Sequence, residues 1–243
     1  VTPLSARALL GAWEAGAAQH PLDRALTVLL AAGTAESRAE LAALPLAERD
    51  ARLLGLRAEM VGPDLSAFTT CGQCGERLEF SLDTAVLAAS RGAALGEHEA
   101  RAEGWRVRFR LPDSRDAALA ARTRGVDEAR RLLAERCLLE IDGPDGPAEA
   151  DDLPEPVRAA VGEAMAAAAP TAEVDLELAC PACGAEWRSV LDVPGFFWTE
   201  LAARARRLLG EVHTLARAYH WSENEILSMT PRRRRAYLDL VEG

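Results

Sequence analysis

The chain has 243 residues, 28 basic and 38 acidic side chains for a formal charge of −10, and 49% hydrophobic residues. This balance excludes collagen-like, low-complexity and wholly disordered classes, and no apolar run approaches the ~18 residues of a membrane span. The acidic surplus counts against generic nucleic-acid binding, which draws its affinity from many phosphate contacts.

All the cations are arginine, and Asn224 is the single asparagine; GC-rich coding accounts for this without reference to function. Val1 to Gly16 shows no basic segment leading into an apolar one, so the expectation is a soluble cytoplasmic protein. The first sixty residues read as helices. Ser5 precedes Leu9, Leu10 and Trp13, and Pro21 stands at a first helical position before Ala25, Leu26, Leu29 and Leu30, with Gly33 closing that run. Thr34 offers a cap for a short helix to Leu44, and Pro45 opens another reaching about Met60, ended by Gly62-Pro63. Their apolar faces imply a small helical unit that packs on something else.

From about Phe68 to Asp192 the signals are β-like, interrupted by helices. Trp105 to Leu111 alternates strictly, with Trp105, Val107, Phe109 and Leu111 on one face and Arg106, Arg108 and Arg110 on the other. Val174 to Leu178 alternates too and carries Asp175 and Glu177, which makes it the expected cross-strand partner of the arginine face. Leu139 to Asp142 is a shorter strand candidate. Val126 to Arg136 is helical and ends at Cys137, Gly143 to Pro156 reads as an exposed acidic loop, and Val157 to Ala169 as an Ala-rich helix. In the last fifty residues, Leu201, Ala205, Leu208, Leu209, Val212, Leu215, Ala216 and Tyr219 make one stripe on a long helix. Ser222 with Glu225 forms a capping box, and Thr230-Pro231 opens a final helix carrying Arg232, Arg233, Arg234 and Arg235 ahead of Tyr237.

Four of the five cysteines fall in two C-x-x-C pairs, Cys71/Cys74 and Cys180/Cys183, each followed by a glycine. Two intervening residues let both sulfurs of a pair face one ion, and the glycine supplies the positive φ of such a knuckle. Each pair runs on to a Leu-Asp at the same distance, Leu82-Asp83 and Leu191-Asp192, a short internal repeat. One structural zinc held by Cys71, Cys74, Cys180 and Cys183 is the simplest solution, with about a hundred residues between the knuckles of the ribbon. A disulfide within each pair conflicts with a reducing cytoplasm. A redox motif lacks its βαβ context, and two separate metal sites lack nearby histidines. A closed all-thiolate site implies stability rather than catalysis. Cys137 reads as a buried small hydrophobe. The fold expected is α+β: a helical region over residues 1–63, a zinc-ribbon-like core with a long insertion over 64–192, and a helical region over 193–243.

The order Cys180-Pro-Ala-Cys183-Gly-Ala-Glu-Trp187, Phe197-Trp-Thr-Glu-Leu201, Glu211 to Tyr219, His220 to Leu227 and Pro231 to Leu238 resembles the baseplate hub assembly chaperone family of T-even-type contractile phage tails and contractile injection systems. The N-terminal stretch from Arg24-Ala-Leu to Leu44-Pro-Leu-Ala-Glu-Arg-Asp-Ala-Arg-Leu-Leu54, leading into the first cysteine pair, is similar to the same group. The resemblance implies either a transient chaperone of the hub or a small baseplate component, acting in the cytoplasm of the producing bacterium or retained in the particle. Its partners would be baseplate or hub, spike or tape-measure proteins, with no membrane and no small-molecule substrate. It transfers no catalytic residue. The partner surface expected is Trp198, Leu208, Leu215, Tyr219, Trp221, Arg232, Arg233, Arg234, Arg235 and Tyr237. A zinc-ribbon nucleic-acid binder using Arg106, Arg108, Arg110 and Arg232 to Arg235 is the alternative. An enzyme is disfavoured because no phosphate loop, nucleophile elbow or H-E-x-x-H pattern is present.

Overall fold

The computed structural model describes residues 3–84, 95–169 and 175–242. Four helices come first: α1 (Ala6–Gly16), α2 (Pro21–Ala31), α3 (Arg38–Ala42) and α4 (Leu46–Val61). The hairpin β1 (Asp64–Thr70) and β2 (Arg77–Asp83) follows, then β3 (Glu97–Ala102), β4 (Trp105–Arg110), α5 (Ser114–Ala120), α6 (Val126–Cys137), β5 (Leu138–Gly143), β6 (Gly146–Pro147) and α7 (Glu155–Ala168). A second hairpin, β7 (Asp175–Ala179) and β8 (Glu186–Val190), leads into α8 (Val193–Tyr219), α9 (Glu223–Ser228) and α10 (Pro231–Glu242). The strands make two separate hairpins and one sheet in the order β3-β4-β5-β6, all antiparallel.

Local chemistry sets most helix ends. The Ser5 hydroxyl accepts the Ala8 amide, Pro21 occupies the first turn of α2, and Ser222 and Glu225 close the capping box of α9. The short helix α3 is capped by Ser37 rather than Thr34, because the Thr34 hydroxyl donates to the Leu29 carbonyl and so finishes α2. Helix α8 begins at Val193, well before the apolar stripe, with the Asp192 carboxylate accepting the Gly195 amide. Strand β3 and helix α5 were not foreseen. Of the β3 residues only Ala100 is buried, so the strand shows no apolar alternation. The start of α5 rests on a box between Asp113 and Asp116.

The two ends of the chain share one core. Leu29 (α2), Leu41 (α3), Leu56 (α4), Leu201 and Leu215 (α8) and Ile226 (α9) are completely buried in a single cluster with Leu9 and Leu10 of α1. The partner on which the N-terminal helices pack is therefore α8 and its successors. A second core lies between the four-stranded sheet and α7, where Val107, Phe109, Leu153, Val157 and Val161 meet Ala47 of α4.

Buried arginines tie the parts together. Arg57 donates to both carboxylate oxygens of Glu200 (2.8 and 3.0 Å) and to the Gly62 and Asp64 carbonyls, joining α4, α8 and the start of β1. Arg49 donates to the Ser114 hydroxyl (3.2 Å), joining α4 to α5.

The arginine face of β4 is neutralised, but not by the strand expected. Arg106 bonds Asp142 and Arg108 bonds Glu140, both on β5, and Arg108 also pairs with Glu97 on β3. Arg110 grips Asp116 of α5 (2.6 and 3.0 Å). β7 instead pairs with β8, where Glu177 meets Arg188, and Val174 lies outside the described residues. The physical reason is connectivity: β5 reaches β4 through α5 and α6, whereas β7 is drawn to β8 by the turn around Cys180 and Cys183.

Candidate metal centre

Each hairpin ends in the same turn. The Cys71 amide donates to the Glu76 carbonyl (2.8 Å) and the Gly75 amide to the Cys71 carbonyl (2.9 Å). In the second hairpin the Cys180 amide donates to Ala185 (2.8 Å) and Gly184 to Cys180 (2.9 Å). Gly75 and Gly184 sit at φ 76° and 73°, a conformation that strains any residue with a Cβ. The duplication read in the sequence is thus a duplicated backbone turn.

The turns bring the four sulfurs of Cys71, Cys74, Cys180 and Cys183 within 4.8 Å of one another. The Cys71 and Cys183 sulfurs are 3.7 Å apart and those of Cys74 and Cys180 3.6 Å apart, across the two hairpins. A tetrahedral ion with metal–sulfur bonds near 2.3 Å has sulfur–sulfur edges of about 3.8 Å, so the donor set fits such an ion. Cys71 and Cys180 are 2% exposed, while Cys74 and Cys183 face solvent. Leu78 and Trp187 stand four residues after the second cysteine of each pair and pack against the buried sulfurs. That matching position was the signal for this apolar platform, which the sequence reading passed over.

Electrostatics of the cluster favour a cation. The Cys74 and Gln73 amides donate to the Cys71 sulfur and draw its thiol down to about 7. The Glu76 amide pulls Cys74 the same way, but Cys183, burial and the remaining thiols outweigh it and push Cys74 up to about 12. Cys183 is also raised: the Ala185 amide and Cys74 act to lower it, burial and the other two thiols to raise it. Cys71 gives up its proton readily, whereas Cys74 and Cys183 resist unless a bound cation shares their charge.

Cys137 is buried elsewhere, its sulfur 4.0 Å from an Asp116 oxygen. Burial first, then the Asp116 charge, pushes its thiol up to about 11, which keeps it protonated and a poor nucleophile.

The expected partner surface divides. Leu208 and Leu215 belong to the helical core, at 7% and 0% exposure. Trp198 packs its ring on Gly16 with the Arg24 guanidinium 4.8 Å from the ring centre. Tyr219, Trp221 and Tyr237 form a mutual aromatic cluster with centroids 4.5 to 5.6 Å apart. Arg234 is turned inward, bonding Glu211 (3.0 Å) and the Met229 carbonyl (2.8 Å), because a helix of four consecutive arginines must send one of them toward its packed side. Arg232, Arg233 and Arg235 remain on the surface, Arg235 paired with Asp239.

The fold is one of small antiparallel sheets between helices, with four thiols gathered at the hairpin tips where they could hold a metal ion. Residues 5–198 match the family described as T4 bacteriophage base plate protein, and the chain belongs to that family. The match takes in both cysteine pairs and ends in the second turn of α8; most of the C-terminal segments quoted for the resemblance lie beyond it. No curated protein and no solved structure matches the chain. No helix among the described residues is long and apolar enough to cross a membrane.

Proposed function

We propose that this protein is a non-enzymatic assembly factor, or a small structural component, of the baseplate and hub of a contractile phage tail or related injection system. The observation that carries the reading is the family match over 5–198, which spans the four gathered thiols. The two hairpins act as the halves of a zinc ribbon, with one Zn²⁺ held by Cys71, Cys74, Cys180 and Cys183. All four positions are filled by protein, so the ion supplies folding free energy rather than a site for water. Residues 64–192 carry the ribbon and its insertion, and the flanking regions 1–63 and 193–243 co-fold as the helical body that contacts hub, spike or tape-measure segments. The protein works in the cytoplasm of the producing cell, where tails assemble, and stays in the particle if it is a component.

Deletion of the gene should leave tail components soluble but unassembled; normal infectious or contractile particles from the deletion strain would refute the proposal. The nucleic-acid reading loses support because acidic side chains already hold Arg106, Arg108 and Arg110. Salt-dependent titration with duplex DNA separates the two, since a steep slope belongs only to a phosphate binder.

A further inference from the structure

The arginines of this chain are used in two different ways. Those of β4 are matched by carboxylates, whereas exposed Arg206, Arg207, Arg217 and Arg232 have no acidic partner within 4.0 Å among the described residues. Residues 193–243 hold eight arginines against six acidic residues, a surplus of +2, while the chain as a whole stands at −10. The C-terminal helices therefore carry a net positive charge on an otherwise acidic molecule.

Beside these arginines runs a groove of about 670 Å³ between the start of the chain, α4, α8 and the α9–α10 turn. Its apolar lining includes Met60, Leu208, Leu227 and Met229, and its charged lining sets Arg204, Arg207 and Arg234 against Glu59 and Glu211. Two of the chain's three methionines lie here, and unbranched, polarizable side chains of this kind re-pack around differing partners. Among the described residues Arg204 bonds only the Met60 carbonyl (2.7 Å) and meets no carboxylate within 4.0 Å. The groove's one firm ion pair, Arg234 with Glu211, braces α10 on α8 and leaves Arg207 and the adjoining Arg232 free.

We infer that this groove docks an acidic, amphipathic segment of another tail protein, its apolar side chains entering between Met60 and Met229 and its carboxylates meeting Arg207 and Arg232. Charge complementarity selects the occupant: with Arg234 and Glu211 paired, Arg204 and Arg207 outweigh Glu59, so the lining is net positive over an apolar floor and favours acidic segments. The inference rests on the baseplate reading and names the kind of partner it requires.

The test uses the full-length protein on an array of overlapping peptides covering the tail proteins encoded beside its gene, followed by fluorescence anisotropy on the peptides that bind. Bound peptides should combine carboxylates with large apolar residues. The double variant Arg207→Glu/Arg232→Glu, which breaks no ion pair of the fold, should weaken binding about tenfold. Reversing the exposed Arg130 and Arg131 on α6 should leave binding unchanged. Absence of any bound peptide, a basic set of bound peptides, or indifference to the groove substitutions would overturn the inference. So would competition by duplex DNA for the groove, or self-association lost in the same variant, which would assign the surface to nucleic acid or to a second copy. Full complementation of a defective deletion strain by the double variant would sink the groove while leaving the baseplate role standing.

Discussion

Replacing Cys180 by serine removes one buried sulfur from the cluster and tests what holds the two hairpins together. Without metal, the apolar interior they share is Leu78 at 8% exposure, the half-buried Ala185 and Trp187, and the cysteines themselves. Burying Leu78 and part of Trp187 contributes about 3–4 kcal/mol, and an isolated two-stranded hairpin is marginal in water. A structural zinc supplies about 10–16 kcal/mol in small peptides, several times the apolar contribution. The helical core built on Leu29, Leu201 and Leu215 does not include the sulfur cluster. The expected outcome is therefore local: zinc content falls well below about one per chain, amides of β1, β2, β7 and β8 lose their hydrogen-exchange protection, and those of α8 keep it. Chelator treatment of the unsubstituted protein should reproduce the pattern, and Cys137→Ser should not. Full zinc content in Cys180→Ser, or metal-free protein with its hairpin amides as protected as before, would refute the reasoning.

Thiol labelling at neutral pH should find Cys137 slow to react in the native protein, and chelation should release the four clustered thiols but not that one. Asp116 is completely buried; burial alone would raise its pKa, but Arg110, the Asp113 amide and Arg136 outweigh it and hold the carboxyl well below the usual range. A folded-state value below the unfolded one stabilises above the ordinary carboxylate range near ~3.9, and that stability fades as pH falls beneath it. Asp116→Asn, by stripping two arginines of their partner, should cost about 3 kcal/mol in urea denaturation at neutral pH, with the difference from the unsubstituted protein narrowing in acid. Gly16→Ala would place a Cβ 2.5 Å from the Trp198 ring; it should lower stability by about 1–3 kcal/mol in thermal unfolding, because overpacking forces both helices to shift.

What could be read without coordinates was whatever a few neighbouring residues decide. A C-x-x-C-G turn sets its own geometry, which is why the two knuckles and the two positive-φ glycines agree with the reading from spacing. Ser5, Pro21 and the Ser222–Glu225 box act within one helical turn, and the alternation of Trp105 to Leu111 needs only the pleat of its own strand. The convergence of the two cysteine pairs followed from the donor chemistry of zinc, while the sub-5 Å meeting itself is a property of the folded chain. Choices between distant partners belonged to the tertiary structure alone. Asp142 and Glu140 rather than the β7 acids neutralise the arginines of β4, the first four helices close on α8, and Arg234 turns inward to Glu211. Each depends on which surfaces chain connectivity brings together, and period, capping and composition are silent on that because they describe a residue's neighbours along the chain and not those across the core.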